Sequence, residues 1–180
     1  MEAFEEIWID REARGTWIAN RIEANPGAAR LRIVSGRTEA DRLAGCDRTT
    51  KAQARKRRLF VTRERGRFLK ACPGTPGARC CNLFVLNPIV GCPFDCTYCF
   101  LQAYQNEPFI TLHANLEDLD EEIGALSALN PGRTLRICTG ELADSLALEP
   151  MAGVAAFLLE RFADREGLEL ELKTKSADID

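Results

Sequence analysis

The chain has 180 residues, 46% of them hydrophobic and 28% charged, which is the composition of a soluble globular protein of one or two domains. Its acidic opening, Met1-Glu2-Ala3-Phe4-Glu5-Glu6, has no basic start or apolar run, and the apolar run 154–159 is far too short to span a bilayer. No secretory signal and no membrane partner are expected, and a cytoplasmic location is. The net charge of -3 conceals an asymmetry, since residues 1–106 carry 18 Lys/Arg against 11 Asp/Glu and residues 107–180 carry 6 against 16. One end could meet a polyanion, and the other would repel it.

In chain order, Ile7-Trp8-Ile9 predicts a short strand, Trp17-Ile18 with Ile22 a helix stopped by Asn25-Pro26-Gly27, and Leu31-Arg32-Ile33-Val34 a second strand. Trp8 and Trp17 are assigned to the core of this small α/β element. From Arg48 to Lys70 ten basic residues face a single acid, Glu64. Such a density suits nucleic-acid phosphates, and the competing reading is a solvated charged face. Cys72-Pro73-Gly74-Thr75-Pro76-Gly77 predicts a turn-rich linker before the adjacent pair Cys80-Cys81. These three thiols, with the lone Cys46 and His113, are assigned packing roles.

Leu83-Phe84-Val85-Leu86, apolar on both faces, predicts a buried parallel strand that runs into Gly91-Cys92-Pro93-Phe94-Asp95-Cys96-Thr97-Tyr98-Cys99-Phe100. Eight cysteines in a cytosolic chain point to metal or catalysis rather than to disulfides. Three of them in one loop, spaced Cys-x3-Cys-x2-Cys, can wrap an iron-sulfur core, and three thiolates on a 4Fe-4S cluster leave one iron open. A structural zinc site is the competing reading, but it wants four closed ligands, commonly as two Cys-x2-Cys pairs, and only Cys96/Cys99 has that spacing.

Beyond the loop the sequence predicts a short helix at Phe100-Leu101-Gln102-Ala103-Tyr104 and an extended Phe109-Ile110-Thr111-Leu112. A helix with the stripe Leu116, Leu119, Ile123, Leu126 and Leu129 follows, then the strand Leu135-Arg136-Ile137-Cys138-Thr139. Alternation along that strand puts Arg136 and Cys138 on the face opposite Leu135 and Ile137. A helix over 151–162, buried through Val154, Phe157, Leu158 and Phe162, leads to a last strand over 168–175. Strand, helix, strand, helix, strand argues for a parallel sheet, in which active groups gather at the carboxyl ends of the strands.

Cys92, Cys96 and Cys99, with Tyr98 before the last, resemble the cluster loop of the radical S-adenosylmethionine superfamily. Within it the chain resembles the spore photoproduct lyase (DNA repair photolyase-like) family over most of its length. The likeness lies in Ile7-Trp8-Ile9-Asp10-Arg11-Glu12-Ala13, Cys99-Phe100-Leu101-Gln102, Cys138-Thr139 and Thr174-Lys175. The segment from Cys72-Pro73-Gly74-Thr75 to Cys80-Cys81 resembles one subgroup.

The resemblance implies that Cys92, Cys96 and Cys99 ligate a 4Fe-4S cluster whose open iron is chelated by S-adenosylmethionine. Reductive cleavage of that cofactor would give a 5'-deoxyadenosyl radical for hydrogen abstraction. It implies that Tyr98 lies against the adenosyl group, that Gly140-Glu141 meets the cofactor's amino group, and that Lys175, rather than Lys173, meets its carboxylate. Cys138 would return a hydrogen atom to the product radical. Two departures stand out: Gly140 replaces a hydroxyl residue of the spore enzyme, and the chain ends after the third strand of a barrel that needs more.

The fold expected is α/β, a small N-terminal α/β element with the basic segment (1–71) followed by the first half of a parallel partial (β/α) barrel of radical SAM type (72–180). The function expected is that of a radical SAM lyase of the spore photoproduct lyase type, an enzyme repairing thymine dimers. Its partners would be DNA and an electron donor such as ferredoxin or flavodoxin. The alternatives are the same chemistry on another substrate, or a noncatalytic Fe-S or zinc nucleic-acid-binding fragment.

Overall fold

The computed structural model of the protein describes residues 4–45, 51–72, 74, 76–77 and 83–177, with the side chains of 51–53 left aside. Cys46, Cys80 and Cys81 lie outside the described residues.

Two mostly parallel sheets carry the chain. The first has the order β2-β1-β3-β7-β6, built from β1 (Glu6–Asp10), β2 (Arg30–Val34), β3 (Arg58–Thr62), β6 (Ile89–Val90) and β7 (Ile110–His113). The second has the order β4-β5-β8-β9, built from β4 (Leu69–Ala71), β5 (Leu83–Leu86), β8 (Leu135–Cys138) and β9 (Leu168–Glu171). Among the described residues only β4 against β5 and β6 against β7 run antiparallel. The sheets exchange strands across residue 71: β6 and β7 complete the first sheet, whereas β4 forms an edge of the second.

Alternation explains the core. Ile7 and Ile9 face a large cluster shared by both sheets, with Leu59, Ile110, Leu112, Ile137, Leu148, Phe157 and Phe162 among its members. Trp8 points to the other face of β1, where it meets Val34, Ala40, Phe60 and Phe109 beneath α2 (Arg37–Ala44). There the Trp8 and Phe109 rings stand edge to face with centroids 5.7 Å apart. The expected burial of Trp17 is not found. It is 42% exposed on α1 (Trp17–Ala24), its ring tilted against Phe157 at 5.5 Å. Thr16 caps that helix, its Oγ1 accepting from the Ala19 N–H.

The helix stripe predicted after β7 is buried at Leu116, Leu119 and Ile123, and Leu126 packs against the core. Leu129 is exposed, because α5 (Leu119–Leu129) ends there and the chain turns at Asn130. The single helix predicted over 151–162 is two, α6 (Glu149–Ala152) and α7 (Val154–Phe162). Gly153 breaks it with a φ of +65°, where a Cβ would come within 3.0 Å of the Trp17 ring. The last strand stops at Glu171, and residues 172–175 run on as a loop. No helix among the described residues is long and apolar enough to cross a membrane.

Candidate metal and cofactor site

The cysteine loop leaves β6 through Gly91, whose φ is +99° and where a Cβ would sit 3.3 Å from the Ile110 Cα. Only glycine takes that turn against a neighbouring strand without strain. The loop is then tied at both ends to the segment after β8: the Gly91 N–H donates to the Leu142 carbonyl at 3.0 Å, and the buried Gln105 side chain donates to the same oxygen at 2.6 Å. Within the loop the Cys99 N–H closes a turn onto the Cys96 carbonyl at 2.9 Å, which also accepts from Gln102 Nε2 at 2.8 Å. α4 (Leu101–Tyr104) follows and anchors the loop through the buried Leu101.

Cys92, Cys96 and Cys99 are half-buried and none is in a disulfide. Burial pushes the Cys92 thiol up, while the N–H groups of Phe94 and Asp144 aim at its sulfur and favour the thiolate. The Tyr98 ring stands exposed, and what burial it has, together with the neighbouring Cys96, pushes its hydroxyl pKa up. No three His, Cys, Asp or Glu side chains among the described residues converge as a site for a single ion. Thiolates on separate irons of a cluster need no such convergence, and an all-thiolate set suits iron and sulfide. The donors present therefore fit a cluster held by one loop.

The carboxyl end of β8 lies beside this loop. Thr139 Oγ1 and Ser145 Oγ are 2.6 Å apart and buried, and Ser145 is bonded through both its N–H and its Oγ to the Lys173 backbone at 2.9 Å. Gly140 sits in the crevice between them with φ +87°, where a Cβ would be 2.8 Å from Lys173 Cβ and 3.0 Å from the Lys173 carbonyl. A hydroxyl side chain does not fit there. Glu141 is exposed and accepts from Asn87 Nδ2 at 2.8 Å, on the segment that leads into the cysteine loop.

Asp144, which the sequence reading passed over, is the hub of this end. Its buried carboxylate accepts the Leu146 N–H at 2.9 Å, the Thr174 hydroxyl at 2.8 Å and the Lys175 N–H, fixing the backbone on which Lys175 is carried. The signal that could have found it is Asp-Ser two residues before an apolar run, a turn-forming pair.

Cys138 is buried on the face of β8 shared with Arg136, as alternation predicts. Its sulfur lies 3.1 Å from the Thr139 carbonyl and 3.7 Å from Glu171 Oε1. Burial pushes the thiol's pKa up, and a hydrogen bond from Lys173 opposes this. Lys173 is thus engaged with Cys138 and Glu171, while Lys175 is exposed.

The basic segment is the largest departure from expectation. Arg57 pairs with Glu5 at 2.7 Å, Arg58 with Glu6 at 3.3 Å, Arg63 with Asp118 at 3.0 Å and Arg65 with Glu12 at 2.7 Å. Arg55 and Lys56 turn inward beneath the cysteine loop. Arg57, Arg63 and Arg65 stay at the surface in these pairs, whereas Arg55 and Lys56 are directed within the fold. His113 is half-buried, 3.8 Å from Glu64 and edge-on to Phe68, consistent with a packing role.

The 139–145 segment and the 172–175 loop follow the carboxyl ends of the parallel strands β8 and β9, and the cysteine loop follows that of β5 by way of the short antiparallel β6, the usual place for active groups in a parallel sheet. Two larger clefts, of about 360 and 440 Å³, lie elsewhere: one at the amino ends of β8 and β9, the other between α5 and β4. Neither contains a cysteine, so chemistry rather than cavity size places the site.

The fold is mixed α/β with parallel sheets, and it is similar to that of about half of the spore photoproduct lyase chain. A doubly substituted spore photoproduct lyase with bound AdoMet and dinucleoside spore photoproduct superposes with a TM-score of 0.76 at 16% identity, over 94% of this chain and 49% of that one. A singly substituted form of the lyase gives 0.75 at 17% identity over 94% and 49%. A complex of the lyase with dinucleoside spore photoproduct gives 0.75 at 16% over 93% and 48%. The chain spans about half the length of the structures it matches. No protein-family model matches the sequence, and no curated protein does.

Proposed function

We propose that the protein is a radical S-adenosylmethionine enzyme of the spore photoproduct lyase type. The observation that carries this reading is the meeting of the three-cysteine loop with the 139–145 segment. The Leu142 carbonyl takes hydrogen bonds from both flanks of the loop, from the Gly91 N–H and from the Gln105 side chain. Cys92, Cys96 and Cys99 would hold a 4Fe-4S cluster. When bound, that cluster with its open iron supplies the electron that cleaves S-adenosylmethionine.

The chain's own residues do the positioning. Tyr98 offers an exposed ring beside Cys96 for the adenosyl group, and Gly140-Glu141 serves the cofactor's amino group, Glu141 carrying the carboxylate. Lys175, held through its N–H by Asp144, supplies a cation for its carboxylate. Cys138, kept as a thiol by burial, would donate the hydrogen atom that closes the reaction. The substrate proposed is a thymine dimer in DNA, by likeness to a lyase solved with dinucleoside spore photoproduct. The electron donor would be a ferredoxin or flavodoxin, and the setting the cytoplasm.

The test is iron and sulfide analysis of anaerobically reconstituted protein against a variant with Cys92, Cys96 and Cys99 all changed to Ala. Loss of stoichiometric iron and sulfide in the variant supports the ligand set. Retention would move the site to other thiols. Reversal of a dinucleoside spore photoproduct, assayed with the loaded protein, separates a repair enzyme from the same chemistry on another substrate.

A further inference from the structure

α3 (Lys51–Lys56) ends in two cations that a count of charges assigns to a polyanion-binding face. Arg55 is only 5% exposed, and its guanidinium donates to the Gln105 carbonyl and, at 3.3 Å, to the Gln102 carbonyl. Lys56 Nζ donates to the Phe94 carbonyl at 2.8 Å and pairs with the carboxylate of Asp95. Phe94 and Asp95 lie between Cys92 and Cys96, and Gln102 and Gln105 follow Cys99. The two side chains therefore grip the cysteine loop on both sides of its last two thiols.

Carbonyls withdrawn from water need donors, but a neutral side chain could serve them at a lower desolvation cost than a guanidinium. Charge at this place makes sense if charge is to be met. Asp95 pairs with Lys56 and its charge is felt by Arg55, but its side chain is 75% exposed and offsets the two cations only in part. Arg55 keeps a buried Nε–H with no acceptor and has no carboxylate within salt-bridge range among its contacts. Three thiolates bring three negative charges to the loop above it.

We propose that Arg55 and Lys56 are positioning residues of the cysteine loop, holding it in the shape that presents three thiolates to an iron-sulfur cluster and offsetting their charge. This rests on the reading that the loop binds a cluster. Positive charge beside a cluster favours its reduced, more negative form, so the pair also raises the cluster's reduction potential.

The experiment compares wild type with Arg55→Met, Lys56→Met and the charge-conserving Lys56→Arg, each reconstituted without oxygen. Iron and sulfide content, the midpoint potential from an EPR-monitored redox titration, and the rate at which a chelator bleaches the cluster are read, with circular dichroism confirming the fold. Each Met variant is expected to show a more negative midpoint and cluster loss at least roughly tenfold faster, the effect of removing a charged hydrogen bond. Lys56→Arg should keep the wild-type midpoint. Lys56 is the less buried end of the pair, so its variant decides the matter if Arg55→Met does not fold. Wild-type midpoint and bleaching rate in the folded Met variants overturn this proposal alone. A wild-type chain that takes up no iron and sulfide overturns the cluster reading and this proposal with it.

Discussion

The Cys138 sulfur lies 3.7 Å from a carboxylate oxygen of Glu171, its partner in register on the neighbouring parallel strand. Lys173 Nζ stands 3.4 Å from the same oxygen, and Arg136 holds the other one. The thiol is thus placed between an anion that favours S–H and a cation that favours the thiolate, with burial as the largest influence and on the side of S–H. Lys173→Met should raise the Cys138 pKa further, and Glu171→Gln should lower it. The check is the pH dependence of the 13Cβ shift of Cys138, assigned against Cys138→Ala. Shifts of the same sign in the two variants would contradict the arrangement.

Gly140 is where close approach and backbone conformation coincide. A Cβ there meets the backbone of Lys173 as well as its side chain, and the φ of +87° is one that L residues avoid. Gly140→Ala should destabilise the fold by about 2–4 kcal/mol, from conformational strain and overpacking together. Denaturant unfolding measures it, and an unchanged midpoint would mean that the 172–175 loop gives way freely.

Asp144 predicts a separable effect. Asp144→Ala leaves two N–H groups and the Thr174 hydroxyl without their acceptor and should cost about 1.5–3 kcal/mol, the range for hydrogen bonds to a charged group. Because Lys175 hangs on this carboxylate, affinity for S-adenosylmethionine should fall as well. Isothermal titration of the loaded, folded variant detects that loss, and wild-type affinity would remove Lys175 from the cofactor site.

Burial holds the His113 pKa below its ordinary value of 6.5, against the pull of nearby Glu64. The unfolded chain therefore binds the proton more readily than the folded one. His113 contributes stability that is present above about pH 6.5 and is lost as the pH falls through the folded pKa. The melting temperature of wild type should fall more steeply between pH 7 and pH 5 than that of His113→Gln. Parallel curves would show that another group governs the acid limb.

What could be read from the sequence was local. The gathering of Cys92, Cys96 and Cys99 in one loop is legible because it is written in one short spacing, and the face that Cys138 takes because strand parity fixes it. The strands at Ile7-Trp8-Ile9 and Leu83-Phe84-Val85-Leu86 announce themselves by burial pattern. The partners of Asp144 are not legible in this way, since Thr174 and Lys175 lie 30 and 31 residues further on. The same holds for Arg55 and Lys56: a count of charges cannot tell a cation facing solvent from one turned beneath a loop. β7 misleads for a topological reason, because its pairing with β3 and β6 takes a strand from beyond the cysteine loop back into the first sheet.

The likeness to spore photoproduct lyase structures extends over nearly all of this chain and about half of theirs. The residues proposed to hold the cluster and the cofactor all lie in this chain. Cofactor cleavage can therefore be asked of this chain without its substrate.

The most direct measurement is 5'-deoxyadenosine formation by anaerobically reconstituted, dithionite-reduced protein supplied with S-adenosylmethionine, beside Cys96→Ala handled identically. The account predicts 5'-deoxyadenosine from wild type, none above background from the variant, and a changed EPR spectrum of the reduced wild-type cluster when the cofactor is added. A fully loaded, reduced wild-type cluster that gives no 5'-deoxyadenosine and an EPR spectrum indifferent to S-adenosylmethionine would contradict it.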